Sequence, residues 1–390
     1  MYINFWYPVL RSEDLAPDQP EKVKILGLNF VAFRDAEGKA CVLSDTCVHR
    51  GGSLGGAWSA GNVPRIVDGC IVCPYHGWEF NGDGKCVNIP SIGYGTKTPA
   101  RAKVDAYPTQ EKYGIVFAFL GDLPEESRPP LMEIPEFGQP GWRVTTQDRR
   151  SGDEYRRQVE NALDPAHNEF VHPTHGFSGA RDDYRVPELQ VQEDEWTSGF
   201  MTQYFAPPLK DEKMKSASGR SEDATIEAGS IHHGPSTICT KIHPTADVCI
   251  HQHAFKVPVD ECGTRTFLVQ TRNFLLEAEN DARFLERNDV VAGQDAEVLA
   301  DLHPPLTPPT NRHEFLLPAD TAVVRYREKL DRWEARGWRV DAETVERTRR
   351  RAAYAIPSPG RRARSSGWVL DPVPLLPARA AAAATSTGTD

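Results

Sequence analysis

The chain has 390 residues, 39% of them hydrophobic, and carries 45 Lys plus Arg against 55 Asp plus Glu for a net charge of -10. That length predicts about two domains with ample core, and the acidic balance argues against nucleic acid or an anionic membrane as partner. No stretch approaches about 18 consecutive apolar residues, and residues 1 to 20 lack a basic segment followed by an apolar run, so a cytoplasmic protein is expected, neither exported nor membrane-inserted.

Residues 1 to 124 read as one β-rich domain. Apolar strands are expected at Val23 to Phe33 and Ala40 to Leu43 around a turn at Asp35 to Gly38, and again at Ile115 to Leu120. Within this domain stand Cys47-x-His49 and Cys73-x-x-His76, the second pair inside Cys73-Pro74-Tyr75-His76-Gly77-Trp78. Two thiols plus two imidazoles suit either a tetrahedral zinc or a two-iron cluster with the thiolates on one iron and the imidazoles on the other. A zinc finger pairs Cys with Cys at one knuckle and His with His at the other. Here each knuckle offers one of each, which suits a cluster better. Cys70 makes a competing Cys-x-x-Cys with Cys73, but no second such pair completes a zinc ribbon. The remaining cysteines, at irregular spacings, read as reduced thiols. Gly51, Gly52, Gly55 and Gly56 would let backbone N–H groups approach the sulfurs, and each taken singly reads equally well as a turn glycine.

Together Cys47-Val48-His49-Arg50-Gly51 and Cys73-Pro74-Tyr75-His76-Gly77-Trp78 resemble the cluster-binding signature of Rieske [2Fe-2S] proteins. The resemblance implies Cys47 and Cys73 on one iron and His49 and His76 on the other. The stretch between the knuckles is longer than this family leads one to expect, the excess falling in a loop from Ala57 to Asp68. Proline-rich residues 125 to 140 mark an interdomain linker.

The second informative stretch runs from Asn161 to Pro173, Asn-Ala-Leu-Asp-Pro-Ala-His-Asn-Glu-Phe-Val-His-Pro. Asp164 before Pro165 predicts a helix N-cap with proline at the first helical position, and Pro173 ends the segment. One histidine then lies inside the helix and one at its exit, where the following proline lets His172 turn back toward His167. Two histidines and a distant carboxylate form the facial triad of non-haem Fe(II) oxygenases. Asn-x-x-Asp-x-x-His-x-x-x-x-His resembles the mononuclear-iron signature of the Rieske non-haem iron oxygenases, with the trimeric single-component branch nearest. By that resemblance His167 and His172 hold iron, Asp164 links a cluster histidine to an iron histidine, and Asn161 opens the motif. His175, His232 and His233 fall in expected loops, where they are competing ligand candidates but read rather as solvated histidines.

Residues 281 to 302 predict a helix carrying Asp281, Glu286, Asp289, Asp295, Glu297 and Asp301. Gln294-Asp295 followed by Val298-Leu299 looks most like the family's ligand-bearing helix, which makes Asp295 the third ligand, and Gly293 removes a side chain beside the iron. Alternation over Cys249 to Pro258 and Thr264 to Leu276 predicts a hairpin turning at Asp260 to Gly263. A helix with a buried stripe of Val323, Tyr326, Leu330 and Trp333 follows from Asp320 to Gly337. Residues 141 to 356 would form the catalytic domain, and 357 to 390 an extension with a low-complexity, disordered tail.

The resemblance implies an α+β chain: an all-β Rieske domain, then a helix-grip domain with a curved antiparallel sheet. It implies a terminal oxygenase holding one [2Fe-2S] cluster and one mononuclear Fe(II), assembled as a homotrimer in which Asp164 of one chain meets His76 of the next. The chain shows no Gly-x-Gly-x-x-Gly fingerprint between a strand and a helix, so electrons from NAD(P)H must come through a separate reductase, with or without a ferredoxin. The expected reaction hydroxylates or demethylates an organic, aromatic or polycyclic, substrate with O2; a cis-dihydroxylating dioxygenase is the alternative. A Rieske electron carrier and a zinc-binding structural protein are the rivals from other classes.

Overall fold

The computed structural model describes residues 1–58, 65–208, 212–218 and 224–379. Residues 59–64 of the expected loop from Ala57 to Asp68, and the tail from 380 onward, lie outside the described residues. The chain divides into one unit of Met1–Pro130 with Asp331–Asp390 and a second of Leu131–Leu330.

The first unit begins with β1 (Phe5–Arg11), β2 (Glu21–Ile25), β3 (Leu28–Arg34) and β4 (Ala40–Ser44). Short strands follow: β5 (Ile66–Val67), β6 (Cys70–Val72), β7 (Glu79–Phe80), β8 (Cys86–Asn88), β9 (Ala106–Tyr107) and β10 (Thr109–Lys112), then β11 (Ile115–Leu120). They pair as β1-β11-β10, β2-β3-β4-β9 and β5-β6-β7-β8. β11 is buried at every position, as its unbroken Ile-Val-Phe-Ala-Phe-Leu run requires of a central strand. The strand expected from Val23 to Phe33 is two strands, because Leu26 and Gly27 take φ of 54° and 81° and fold the run into a hairpin. Leu26 is buried, so nothing in the hydrophobic pattern marks the turn.

In the second unit β12 (Arg143–Ser151) leads into helices α1 (Tyr155–Leu163) and α2 (Asn168–Val171), and on through β13 (Gln192–Glu193), β14 (Thr197–Gly199), β15 (Thr202–Ala206) and α3 (Glu212–Ser218). The long strands β16 (Ala224–His233), β17 (Thr237–Thr245), β18 (Val248–Pro258) and β19 (Thr264–Arg272) precede α4 (Asp281–Ala300) and α5 (Thr321–Ala335), the last of which runs across the division at Leu330. The strands form one antiparallel sheet, β12-β19-β18-β17-β16-β14-β13, with β15 also on β16. The expected hairpin is β18–β19, paired from Ile250↔Arg272 to Pro258↔Thr264. Its alternation assigns two faces: Ile250, Gln252 and Ala254 face a cavity, while Cys249, His251 and His253 face away from it. The helix α5 carries the expected stripe, with Val323, Tyr326, Leu330 and Trp333 all buried.

Asp164 does not start a helix. It is the C-cap of α1, with φ -97° and ψ 108°, and α2 starts only at Asn168. Pro165 disfavours helical geometry in the residue before it, so the chain breaks there, and the Asp164 carboxylate instead accepts the Ala166 N–H at 2.7 Å. His167 therefore stands at the entrance of α2 and His172 at its exit.

The segment from 331 groups with the first unit, where the sequence placed everything up to 356 with the catalytic domain. It holds α6 (Ala342–Thr348), β20 (Tyr354–Ala355), α7 (Pro359–Ala363) and β21 (Asp371–Pro372), so the extension after 357 is structured through the last described residue. Its anchor is Asp105, 1% exposed, which accepts hydrogen bonds from Ser358 Oγ at 2.8 Å and Arg361 Nη2 at 2.6 Å. Tyr107 Oη donates to the Ile356 carbonyl at 2.7 Å. Within the expected linker Leu131, Met132 and Ile134 are buried. No helix among the described residues is long and apolar enough to cross a membrane.

Candidate functional site

Two similar turns present the Cys/His pairs. Cys47 N–H donates to Gly52 O at 2.8 Å and Gly51 N–H to Cys47 O at 2.9 Å; Cys73 N–H donates to Trp78 O at 2.8 Å and Gly77 N–H to Cys73 O at 3.0 Å. Gly51 and Gly77 close these turns with φ of 73° and 71°, where side chains bring strain. Cys47 and Cys73 are buried, while His49 is exposed and His76 half-buried. The two imidazole centroids lie 4.4 Å apart, and Trp78 stacks on His49 at 4.6 Å. A Cβ on Gly52 would sit 3.2 Å from Cys73 Sγ, so glycine gives the sulfur room.

The hydrogen bond between the two thiols pulls Cys73 down to about 6 and pushes Cys47 up, with burial adding to the latter. One proton leaves easily, and the second needs a cation to balance the charge. A buried sulfur pair beside an outward imidazole pair fits a two-iron cluster with unlike ends. Cys70 stands apart, its thiol donating to the Asp68 carbonyl at 3.7 Å.

In the second unit α2 and α4 bring together His167, His172 and Asp295. The two Nε2 atoms are 3.1 Å apart, and Asp295 Oδ1 lies 3.7 Å from the His167 nitrogen and 3.3 Å from the His172 nitrogen. Each donor is held from behind. His172 Nδ1 donates to Gln294 Oε1 at 3.1 Å, Gln294 Nε2 donates to Thr174 Oγ1 at 2.5 Å, and Asn161 Nδ2 donates to Asp295 Oδ1 at 3.0 Å. His167 Nδ1 donates to the main-chain carbonyl of Asp164 at 2.5 Å, whereas the Asp164 carboxylate is 3.9 Å away. Burial disfavours the Asp295 charge, yet His172 holds its carboxyl below the usual range; burial likewise opposes the His172 cation, and Asp295 lifts it. Two imidazoles and a carboxylate converging from one side suit a divalent iron with open positions opposite.

The five other carboxylates of α4 and its exit are engaged elsewhere or point to solvent. Asp281 pairs with Arg143 and Arg272, Asp289 pairs with Arg149, and Glu286, Glu297 and Asp301 are exposed. Gly293 is not required by packing, since a Cβ there meets nothing within 4 Å. His175 lies 5.0 Å from His172 between ring centroids, and burial pushes it down to about 3. His232 is not a solvated loop residue. It sits fully buried on β16 between Ser198 Oγ at 2.7 Å and Gly234 O at 3.0 Å, and burial takes it to about 3. Gln294 and Thr174 carry no motif of their own; adjacency to Asp295 and to His172–Pro173 was the available signal.

A cavity of about 500 Å³ opens beside the triangle. Ile238, Ile250 and Leu268 line it from the sheet, and Phe284 and Leu299 from α4. A string of amides joins the two: Gln252 Nε2 donates to Asn288 Oδ1, and Asn288 Nδ2 donates to Gln147 Oε1, both at 3.0 Å. Lys256 Nζ donates to Gln158 Oε1 at 3.0 Å, and burial pushes this amine down to about 8 despite Asp295 nearby.

The Rieske [2Fe-2S] domain model matches residues 5–108, and the vanillate O-demethylase oxygenase C-terminal domain model matches residues 154–336. Chlorophyllide a oxygenase of Chlamydomonas reinhardtii is 34% identical over 215 residues, 53% of this chain and 30% of that protein. The oxygenase component of 3-ketosteroid-9-alpha-monooxygenase from Rhodococcus rhodochrous is 33% identical over 174 residues, 43% of each chain. The matches thus span less than half the length of these curated relatives. The solved structure of Pseudomonas putida CBB5 NdmA with caffeine superposes with a TM-score of 0.70 at 22% identity, over 85% of this chain and 91% of that one, a likeness of fold.

Proposed function

The chain belongs to the Rieske non-haem iron oxygenases, having a Rieske domain and an oxygenase C-terminal domain in one polypeptide, and we propose that it is a terminal oxygenase that hydroxylates or demethylates an aromatic or polycyclic substrate. It takes electrons from a reductase, directly or through a ferredoxin. The observation that carries this reading is the triangle of His167, His172 and Asp295 donors set against a ring-sized apolar cavity. Monooxygenation is our preferred reading and cis-dihydroxylation the alternative, since the chain is similar both to a 3-ketosteroid-9-alpha-monooxygenase component and to a phenoxybenzoate dioxygenase subunit.

Cys47, His49, Cys73 and His76 would hold the cluster, and His167, His172 and Asp295 the mononuclear iron; bound there, the two supply single electrons and O2 activation. The other tasks fall to side chains. Gln294 and the Asp164 carbonyl accept the Nδ1–H of His172 and His167, fixing both tautomers so that each Nε2 would be free to hold the iron. Asn161 occupies one lone pair of Asp295 Oδ1 and orients the carboxylate. The apolar sheet and helix walls exclude water and hold a ring against the triangle, while the Gln252–Asn288–Gln147 string can pair a polar substituent. In a homotrimer the free oxygen of Asp164 would accept a hydrogen bond from His76 of the neighbouring subunit and join the two centres.

The test is a spectrum, an iron and sulfide analysis, and a single turnover of the reduced protein with O2 and polycyclic substrates. His167→Ala and His172→Ala should each lose the mononuclear iron and all product while the cluster spectrum persists. Normal turnover by either variant, or stoichiometric zinc with no labile sulfide in the wild type, would refute the proposal.

A further inference from the structure

The face of the main sheet turned away from the cavity carries a second convergence of donors. His243 on β17 and Cys249 and His251 on β18 bring one ligand atom each within 4.8 Å of one another. The register of β17 on β18 shifts between Ile242 and Thr245, so the irregularity brackets His243; such a bulge re-aims a side chain and terminates regular pairing. Nothing in the pairing of the sheet needs these three residue types there.

Both imidazoles are braced from behind. His251 Nδ1 lies 2.7 Å from Glu136 Oε1, and His243 Nδ1 lies 3.0 Å from Glu227 Oε2. Carboxylate acceptors orient each Nδ1–H toward a glutamate, which turns each Nε2 inward toward the other, and the two Nε2 atoms are 3.0 Å apart. At that distance the two nitrogens must share either a proton, in an N–H···N hydrogen bond, or a metal ion. On a tetrahedral zinc with bonds of about 2.0 Å, two ligand nitrogens stand about 3.3 Å apart, close to the separation seen. The same pattern, two Nε2 atoms at 3.1 Å with a third donor beside them, marks the His167, His172 and Asp295 triangle.

We propose that His243, Cys249 and His251 form a zinc site, distinct from both iron centres, with its fourth position open to solvent. The donor set separates the metals: a thiolate with two imidazoles favours zinc, whereas a carboxylate with two imidazoles suits iron. Burial and then the charge of Glu136 push the Cys249 thiol up, so binding displaces its proton to solvent. Glu136 and Glu227 supply compensating negative charge. The site is reachable, for the His243 side chain is 22% exposed and Cys249 half-buried. It ties the end of the β17–β18 hairpin to the segment bearing Glu136.

The experiment uses the full-length, iron-loaded protein exposed to zinc and then dialysed against a weak chelator. Elemental analysis should find one zinc per chain beyond the iron, and zinc-edge X-ray absorption should show one sulfur at about 2.3 Å with nitrogen at about 2.0 Å. Cys249→Ser should abolish the sulfur signal and weaken zinc binding at least tenfold, His243→Gln should weaken it similarly, and His172→Ala should leave it unchanged. Circular dichroism and an unaltered cluster spectrum report that each variant is folded, and His243→Gln, at a partly exposed position, keeps the test open should Cys249→Ser misfold. Absence of bound zinc, a sulfur signal that survives Cys249→Ser, or its loss in His172→Ala would each overturn the proposal.

Discussion

Gln294→Leu should weaken the mononuclear iron site without touching any of the three residues proposed to hold the iron. Gln294 Oε1 accepts the Nδ1–H of His172, and its own amide is held by Thr174. His172 is 3% exposed, so a leucine leaves that N–H buried without an acceptor and the ring free to turn. An unsatisfied buried donor costs about 1–3 kcal/mol, which corresponds to the roughly 10–100-fold loss of metal affinity typical when such a partner is removed. His167 offers no equivalent handle, since its partner is a main-chain carbonyl that no substitution deletes. The assay is competition for Fe(II) against a chromophoric chelator, with the cluster absorbance as an internal standard for folding. Gln294→Glu makes the contrast, because a carboxylate accepts the same hydrogen bond more strongly and Thr174 Oγ can donate to it, so iron should bind at least as tightly as in wild type. Equal iron affinity in wild type and Gln294→Leu would refute the reasoning.

Asp164→Asn should retain both metal centres and near wild-type stability, since an amide oxygen still accepts the Ala166 N–H, yet stop turnover; rapid mixing of the reduced variant with O2 and substrate tests this, and near-normal cluster reoxidation with product would refute the bridging role. Arg361→Met leaves Asp105 buried without its cation and should cost about 3–5 kcal/mol in denaturant unfolding; a loss under about 1 kcal/mol would mean that Ser358 alone satisfies the carboxylate. Lys256→Met should stabilise the protein near neutral pH, because the folded amine titrates at about 8, below its usual 10.5. The sign is set by proton uptake: between those values the unfolded chain holds a proton that the folded one does not, so wild-type stability rises with pH and the advantage of the variant should shrink. A constant difference across that window would contradict the assignment.

Much of the chemistry is written in short segments. In Cys47-x-His49, Cys73-x-x-His76 and Asp164-x-x-His167-x-x-x-x-His172 the partners lie within one turn or one short helix, so local glycines and prolines determine how they meet, and residue types alone narrow the metals. The β18–β19 hairpin and α4 were legible for a related reason, since periodicity is a local property. Six carboxylates on or just after one helix look alike in sequence, and only the approach of α2 to α4 brings Asp295 within 3.3 Å of His172 while Arg143, Arg149 and Arg272 engage two of the others. Gln294 became a support for His172, His232 a core residue, and His243 a neighbour of His251 through contacts between segments, which no window of sequence contains. The grouping of residues 331 to 379 with the first unit belongs to the same class, because the partners of Asp105 lie over 250 positions away and only burial of that charge reveals the need for them. Local spacing encodes which donors exist and how each pair is presented; long-range packing decides which of them converge, since convergence depends on the desolvation and pairing of groups that the chain keeps far apart.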